Sequence, residues 1–165
     1  MQDVDTLESV CERLDSVLTR LASAYRSLPE SKLVGRLQDG RTRAAAGHEL
    51  AVLVAMAAQG VEDRSRPSAP TWRPLPYEGP LVVGDQIGVT GHDLRAACAR
   101  LVPGAAPNPG TGETEAGETG TGETAAMSAS TAVWAPPGVR CDRTGVGTLL
   151  TRVLTAAEEL SGGLY

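Results

Sequence analysis

Leucine recurs every seven residues at Leu7, Leu14, Leu21 and Leu28, and that spacing commits the start of the chain to one amphipathic helix. At 3.6 residues per turn a seven-residue step stays on one face, so the four leucines line a single seam. Val4, Cys11, Val17, Leu18 and Tyr25 fill the positions between them. The helix is predicted over 5–28, opened by the Asp5 and Glu8 capping pattern and stopped by Pro29. A narrow seam needs partners of the same kind. Hydrophobic residues make up 41% of the chain, aromatics only 3%, and Phe is absent. A core of Leu, Val and Ala suits helices packed side by side, where small residues let backbones approach, better than it suits stacked sheets.

Three further helices follow from periodicity. Leu50, Leu53, Val54, Ala57 and Val61 share one face of a helix predicted from Thr42 to Gln59 or a little beyond, with Gly60 weakening its end. Val83, Ile87, Thr90, Leu94, Ala97, Cys98 and Leu101 line a third helix between Pro80 and Leu101. Beside that face runs a stripe of Gly84, Gly88 and Gly91. Each interior glycine costs roughly 1 kcal/mol relative to Ala, so the stripe predicts close backbone approach to another helix, in the fold or across a dimer. Val146, Leu149, Leu150, Val153, Leu154, Ala157 and Leu160 mark a fourth helix from about Thr144 to Ser161, ended by Gly162 and Gly163.

The connections are of two kinds. Residues 63–80 hold Pro67, Pro70, Pro74, Pro76 and Pro80 and read as an extended strap anchored by Trp72, Leu75 and Tyr77. Residues 103–138 are low in complexity. Thr111 to Thr114, Ala116 to Thr119 and Thr121 to Thr124 repeat one short unit around Gly-Glu-Thr, and Glu113, Glu115, Glu118 and Glu123 make the stretch acidic. Too few apolar groups are present to offset ordering entropy, which predicts a disordered insertion. Trp134 near its end reads as an anchor onto the helices or onto a partner. The predicted fold is therefore all-α: one four-helix bundle domain over 1–165, with a Pro-rich strap between the second and third helices and a long disordered loop between the third and fourth.

Charge and cysteine content narrow the function classes. The formal net charge is -5, without the basic stripe a nucleic-acid binder needs. Fourteen of the fifteen basic residues are Arg, with Lys32 the only Lys, as codon bias in a GC-rich genome would give. Cys11, Cys98 and Cys141 are odd in number and widely spaced, which points to reduced thiols in a cytoplasm rather than a disulfide framework or zinc site. The N-terminus is acidic and amphipathic, unlike a signal peptide, and no apolar run is read as long enough to span a membrane. No nucleic acid, no membrane and no cofactor are expected.

His48 and His92 are the only histidines, so any metal or general-base chemistry must use them. A long first helix, a His on the second and His92-Asp93-Leu94 on the third resemble the DinB-like metal-binding bundles, which include thiol-dependent isomerases and transferases of GC-rich bacteria. The resemblance implies a His on the second helix and a Glu-x-x-x-His pair on the third, positions that fall here on His48, Gly88 and His92. Gly88 cannot ligate; Asp85, seven residues before His92, is the carboxylate left to complete a set. The layout of Val83-Gly-Asp-Gln86 and Thr90-Gly-His-Asp-Leu94 is also similar to uncharacterised small helical proteins of GC-rich bacteria. Periodicity places both histidines opposite the apolar stripes of their helices, on the outer surface. Asp142 or Thr144 is expected to cap the fourth helix.

These readings favour a non-catalytic helical interaction or regulatory protein, with no catalytic residues and no metal site. It would use Gly84, Gly88, Gly91, Trp72 and Trp134 as its interaction surface toward a protein partner or a second copy. The alternative is a divergent DinB-like metal-dependent protein acting on a small thiol-linked substrate through His48, His92 and Asp85.

Overall fold

The computed structural model describes residues 6–101, 130–138 and 142–164. Five helices and one small sheet follow in the order α1 (Leu7–Ser27), α2 (Glu30–Leu33), α3 (Arg43–Glu62), a 3-10 turn (Pro80–Val82), α4 (Val83–Ala99), β1 (Ala132–Trp134), β2 (Arg143–Gly145) and α5 (Val146–Gly162). The protein is mainly helical. The all-α expectation is corrected by the β1–β2 pair, which is antiparallel with Val133 opposite Thr144. The short α2 also adds a helix that the sequence pattern did not mark.

The seam of α1 is buried as its spacing requires: Leu14, Leu18 and Leu21 are all core residues. Its cap is Thr6, whose Oγ1 accepts from the Ser9 N–H at 3.3 Å; Asp5 lies outside the described residues. α1 packs against α4 and α5, and α3 packs against the same two helices. On the α1–α4 side the glycine stripe sets the approach. A Cβ at Gly84 would lie 2.9 Å from the Arg26 backbone nitrogen, and one at Gly91 would touch Leu18. The stripe therefore serves contact within the chain, between α4 and α1.

α3 carries buried residues around most of its circumference, from Ala44 to Val61, because α4, α5 and β1 all pack on it. By length and composition it is apolar enough to cross a membrane, which corrects the reading that no apolar run reaches that length; 61% of its apolar window is buried against the rest of the chain. Gly60 does not weaken its end. The helix continues to Glu62, and the missing Cβ admits the Trp134 carbonyl, which would sit 2.2 Å from it.

The junction of α1 with α3 is closed by Tyr25, which is 1% exposed and donates its hydroxyl to the Arg43 carbonyl at 2.9 Å. Burial pushes its pKa from 10.0 up to about 12, against the opposing pull of Arg43 and Arg41. Between these values the unfolded chain releases the Tyr25 proton while the folded chain keeps it. Stability from this group is thus complete below pH 10 and falls by about 2–3 kcal/mol as pH rises toward 12. Urea melts near pH 9 and near pH 11 should show about half of that loss in the native protein and a smaller loss in Tyr25→Phe; equal slopes in the two would sink the assignment.

The expected disorder over 103–138 holds a different outcome at its end. Residues 102–129 lie outside the described residues, but 130–138 fold: Val133 and Trp134 are buried. The Trp134 indole N–H donates to the Asp63 carbonyl at 3.0 Å, and the Arg143 guanidinium stacks 4.2 Å from its ring centroid. Arg143 also donates to the carbonyls of Arg64 and Arg66. Thr144 joins β2 instead of capping α5, whose N-cap is Gly145 with no side-chain hydrogen bond. A two-stranded sheet is marginal alone, so its order comes from this docking onto the end of α3.

Candidate functional site

The strap 63–80 lies over α3 and α4 and is held by two buried glutamines. On α3, Gln59 Oε1 accepts the Arg73 N–H at 2.8 Å while its Nε2 donates to the Arg73 carbonyl at 3.4 Å, as a neighbouring strand would. On α4, Gln86 Nε2 donates to the Pro76 carbonyl at 2.7 Å. Proline has no N–H to offer, so every polar tie to the strap at that point must use its carbonyl. That fixes the amide orientation of Gln86 and turns Oε1 toward His48 Nδ1, 3.0 Å away. An amide oxygen only accepts, so His48 carries its proton on Nδ1.

His48 then packs edge-on against Tyr77, with ring centroids 5.2 Å apart and planes at 72°. It is half-buried rather than on the outer surface, because the strap covers the side of α3 opposite the apolar stripe. The relay of Pro76, Gln86 and His48 therefore sets the position of the Tyr77 ring, which remains 51% exposed. Tyr77 opens a row of exposed apolar groups. Leu81 and Val82 follow in the 3-10 turn at 61% and 36% exposure, and Val89 at 62% lies two turns along α4 from Val82, on the same face. α2 packs against the 3-10 turn and brings Val34 to that end of the molecule.

The other sequence candidates of the metal set lie on the α1 side of α4. His92 is exposed and lines a groove of about 460 Å³ between α1 and α4, with Asp15, Arg26, Gly88, Arg95 and Val89, the far end of the apolar row. Asp85 pairs with Arg26 at 2.7 Å. His48 thus lies on the strap side of α4 and His92 beside α1. Gly88 offers no donor, and among the described residues no group of three His, Cys, Asp or Glu side chains converges. The donor set does not fit the metal that the DinB-like resemblance implies.

Trp72 is half-buried, with its ring edge 3.6 Å from the position a Gly60 Cβ would take. Trp134 is buried in the chain's own fold. Trp134 and the glycines of α4 thus have contacts within the chain, and the exposed large apolar side chains on the strap, the 3-10 turn and α4 are Tyr77, Leu81, Val82 and Val89. Tyr77 was visible as a strap anchor; the glutamines that position it carry no sequence signal, because a polar residue in a helix reads as surface. Protein-family models, curated proteins and solved structures yield no match to the chain.

Proposed function

We propose that this chain is a non-catalytic interaction or regulatory protein of the cytoplasm, built on a four-helix bundle of α1, α3, α4 and α5. It docks a protein partner, or a second copy of itself, through the row Tyr77, Leu81, Val82 and Val89. The observation that carries this reading is the Tyr77 ring, half exposed yet held in place by His48. Tyrosine anchors dominate interfaces when their rings are positioned before binding, since less side-chain freedom is lost. Clustered exposed apolar groups also mark association surfaces, whereas scattered ones do not. The metal-dependent alternative rests on the His48 and His92 resemblance alone and gains no support from the donor geometry.

A double substitution, Leu81→Asp with Val89→Asp, tests the docking surface. Both residues are exposed, so thermal stability should change by less than about 1 kcal/mol. Sedimentation equilibrium of the native protein at high micromolar concentration should show self-association that the double variant loses. A native monomer would eliminate the second copy as occupant. Affinity capture that recovers the same protein with native chain and double variant would eliminate the surface itself.

A further inference from the structure

Two of the three cysteines meet across the α1–α4 interface. Cys11 on α1 and Cys98 on α4 line one cavity of about 10 Å³, with Leu14, Leu18, Gly91 and Leu94 as its apolar walls. Gly91 belongs to the stripe that draws the helices together at this level. Both thiols are free and border the same small space. Cys11 is half-buried and reachable at the rim, whereas Cys98 is buried. The cavity is no larger than about one water molecule, so the two sulfurs border one small, mostly apolar space.

We propose that Cys11 and Cys98 form a reversible oxidation site that takes a small hydroperoxide and closes to a disulfide joining α1 to α4. The Cys11 thiolate attacks the terminal oxygen of the hydroperoxide: an S–O bond forms, the O–O bond breaks, and alkoxide, or hydroxide from hydrogen peroxide, leaves with the electron pair. The sulfur is oxidised to a sulfenic acid and the peroxide is reduced. The Cys98 sulfur then attacks the Cys11 sulfur. The S–S bond forms, the S–O bond breaks, and the departing hydroxide takes the Cys98 proton as water.

The order of the two thiols follows from their surroundings. The neighbouring Cys98 thiol holds the Cys11 thiol below its ordinary range, against burial and the carboxylates of Glu12 and Glu8. The same contact, with burial, pushes the Cys98 thiol up. Cys11 is therefore the attacking group and Cys98 the resolving one, the arrangement of a half-exposed nucleophile beside a second cysteine. Closing the bridge would link positions far apart in sequence and restrict the unfolded chain. In a reducing compartment such a bond is transient and signals oxidant.

The test is peptide mapping of the full-length protein after hydrogen peroxide, with free thiols counted before and after. The reduced chain has three thiols. One should remain after oxidation, with the Cys11 and Cys98 peptides linked within one chain, and dithiothreitol should restore all three. Cys11→Ser should keep both remaining thiols at peroxide concentrations that oxidise the native protein. Cys98→Ala should leave Cys11 as a sulfenic acid that dimedone traps. A link through Cys141, a bridge between chains, or three free thiols in the native protein after excess peroxide would overturn the proposal. The native mapping decides it even where a variant fails to fold.

Discussion

Trp134→Ala is expected to destabilise the protein by about 3–5 kcal/mol, the range for truncating a buried aromatic side chain. The ring is 7% exposed and its N–H reaches the Asp63 carbonyl at the C-terminal end of α3. Truncation removes the apolar surface, leaves that carbonyl without its donor, and takes the platform from under Arg143. The two strands have little else to hold them, so their order should be lost with the ring. Trp134→Phe separates the contributions. It keeps most of the buried area and loses the hydrogen bond, and should cost about 1 kcal/mol beyond the size change. Urea unfolding followed by far-ultraviolet circular dichroism measures both. A loss below about 1 kcal/mol for Trp134→Ala would mean that the ring is a surface group.

Periodicity made the long helices legible to within a few residues. The predicted 5–28, 42–59, 80–101 and 144–161 meet α1, α3, α4 and α5, because repeated Leu, Val and Ala at helical spacing constrain a whole segment at once. What escaped the sequence was set by single contacts between distant residues. Three-residue strands are too short to show an alternating pattern, and Val133 and Trp134 fall within the 103–138 stretch whose composition argues against order. Gln59 and Gln86 look like surface residues, yet each supplies the donor and acceptor that a proline-rich strap lacks. Periodicity alone puts His48 outside, because its helix face is opposite the main apolar stripe; only the strap, which carries no helical register, turns that face inward.

The glycine stripe, which predicts close backbone approach, meets α1 within the chain. Such contacts govern a substitution series in which intrinsic propensity and tertiary contact predict opposite signs. Replacing an interior helical glycine with alanine stabilises a helix by roughly 1 kcal/mol in the absence of contacts. At Gly88 the new methyl would meet the end of the Arg26 side chain, at 2.6 Å from its guanidinium nitrogen. That group is on a half-exposed, flexible side chain and can move aside, so Gly88→Ala should be neutral or mildly stabilising.

At Gly60 the methyl would lie 2.2 Å from the Trp134 carbonyl oxygen and 3.2 Å from its carbon. These are backbone atoms of a strand pinned by the indole to Asp63, and nothing flexible is available to yield. Gly60→Ala should therefore cost about 2–4 kcal/mol, by the reasoning for overpacked cores, despite the gain in helix propensity. Because the two positions sit on different helix contacts, their effects should add in the double variant. Gly60→Ala and Trp134→Ala should not add, since once β1 has detached the alanine no longer meets it. Chemical denaturation of the three single and two double variants measures both couplings. A stabilising Gly60→Ala, or full additivity with Trp134→Ala, would mean that β1 does not rest on α3 at this point.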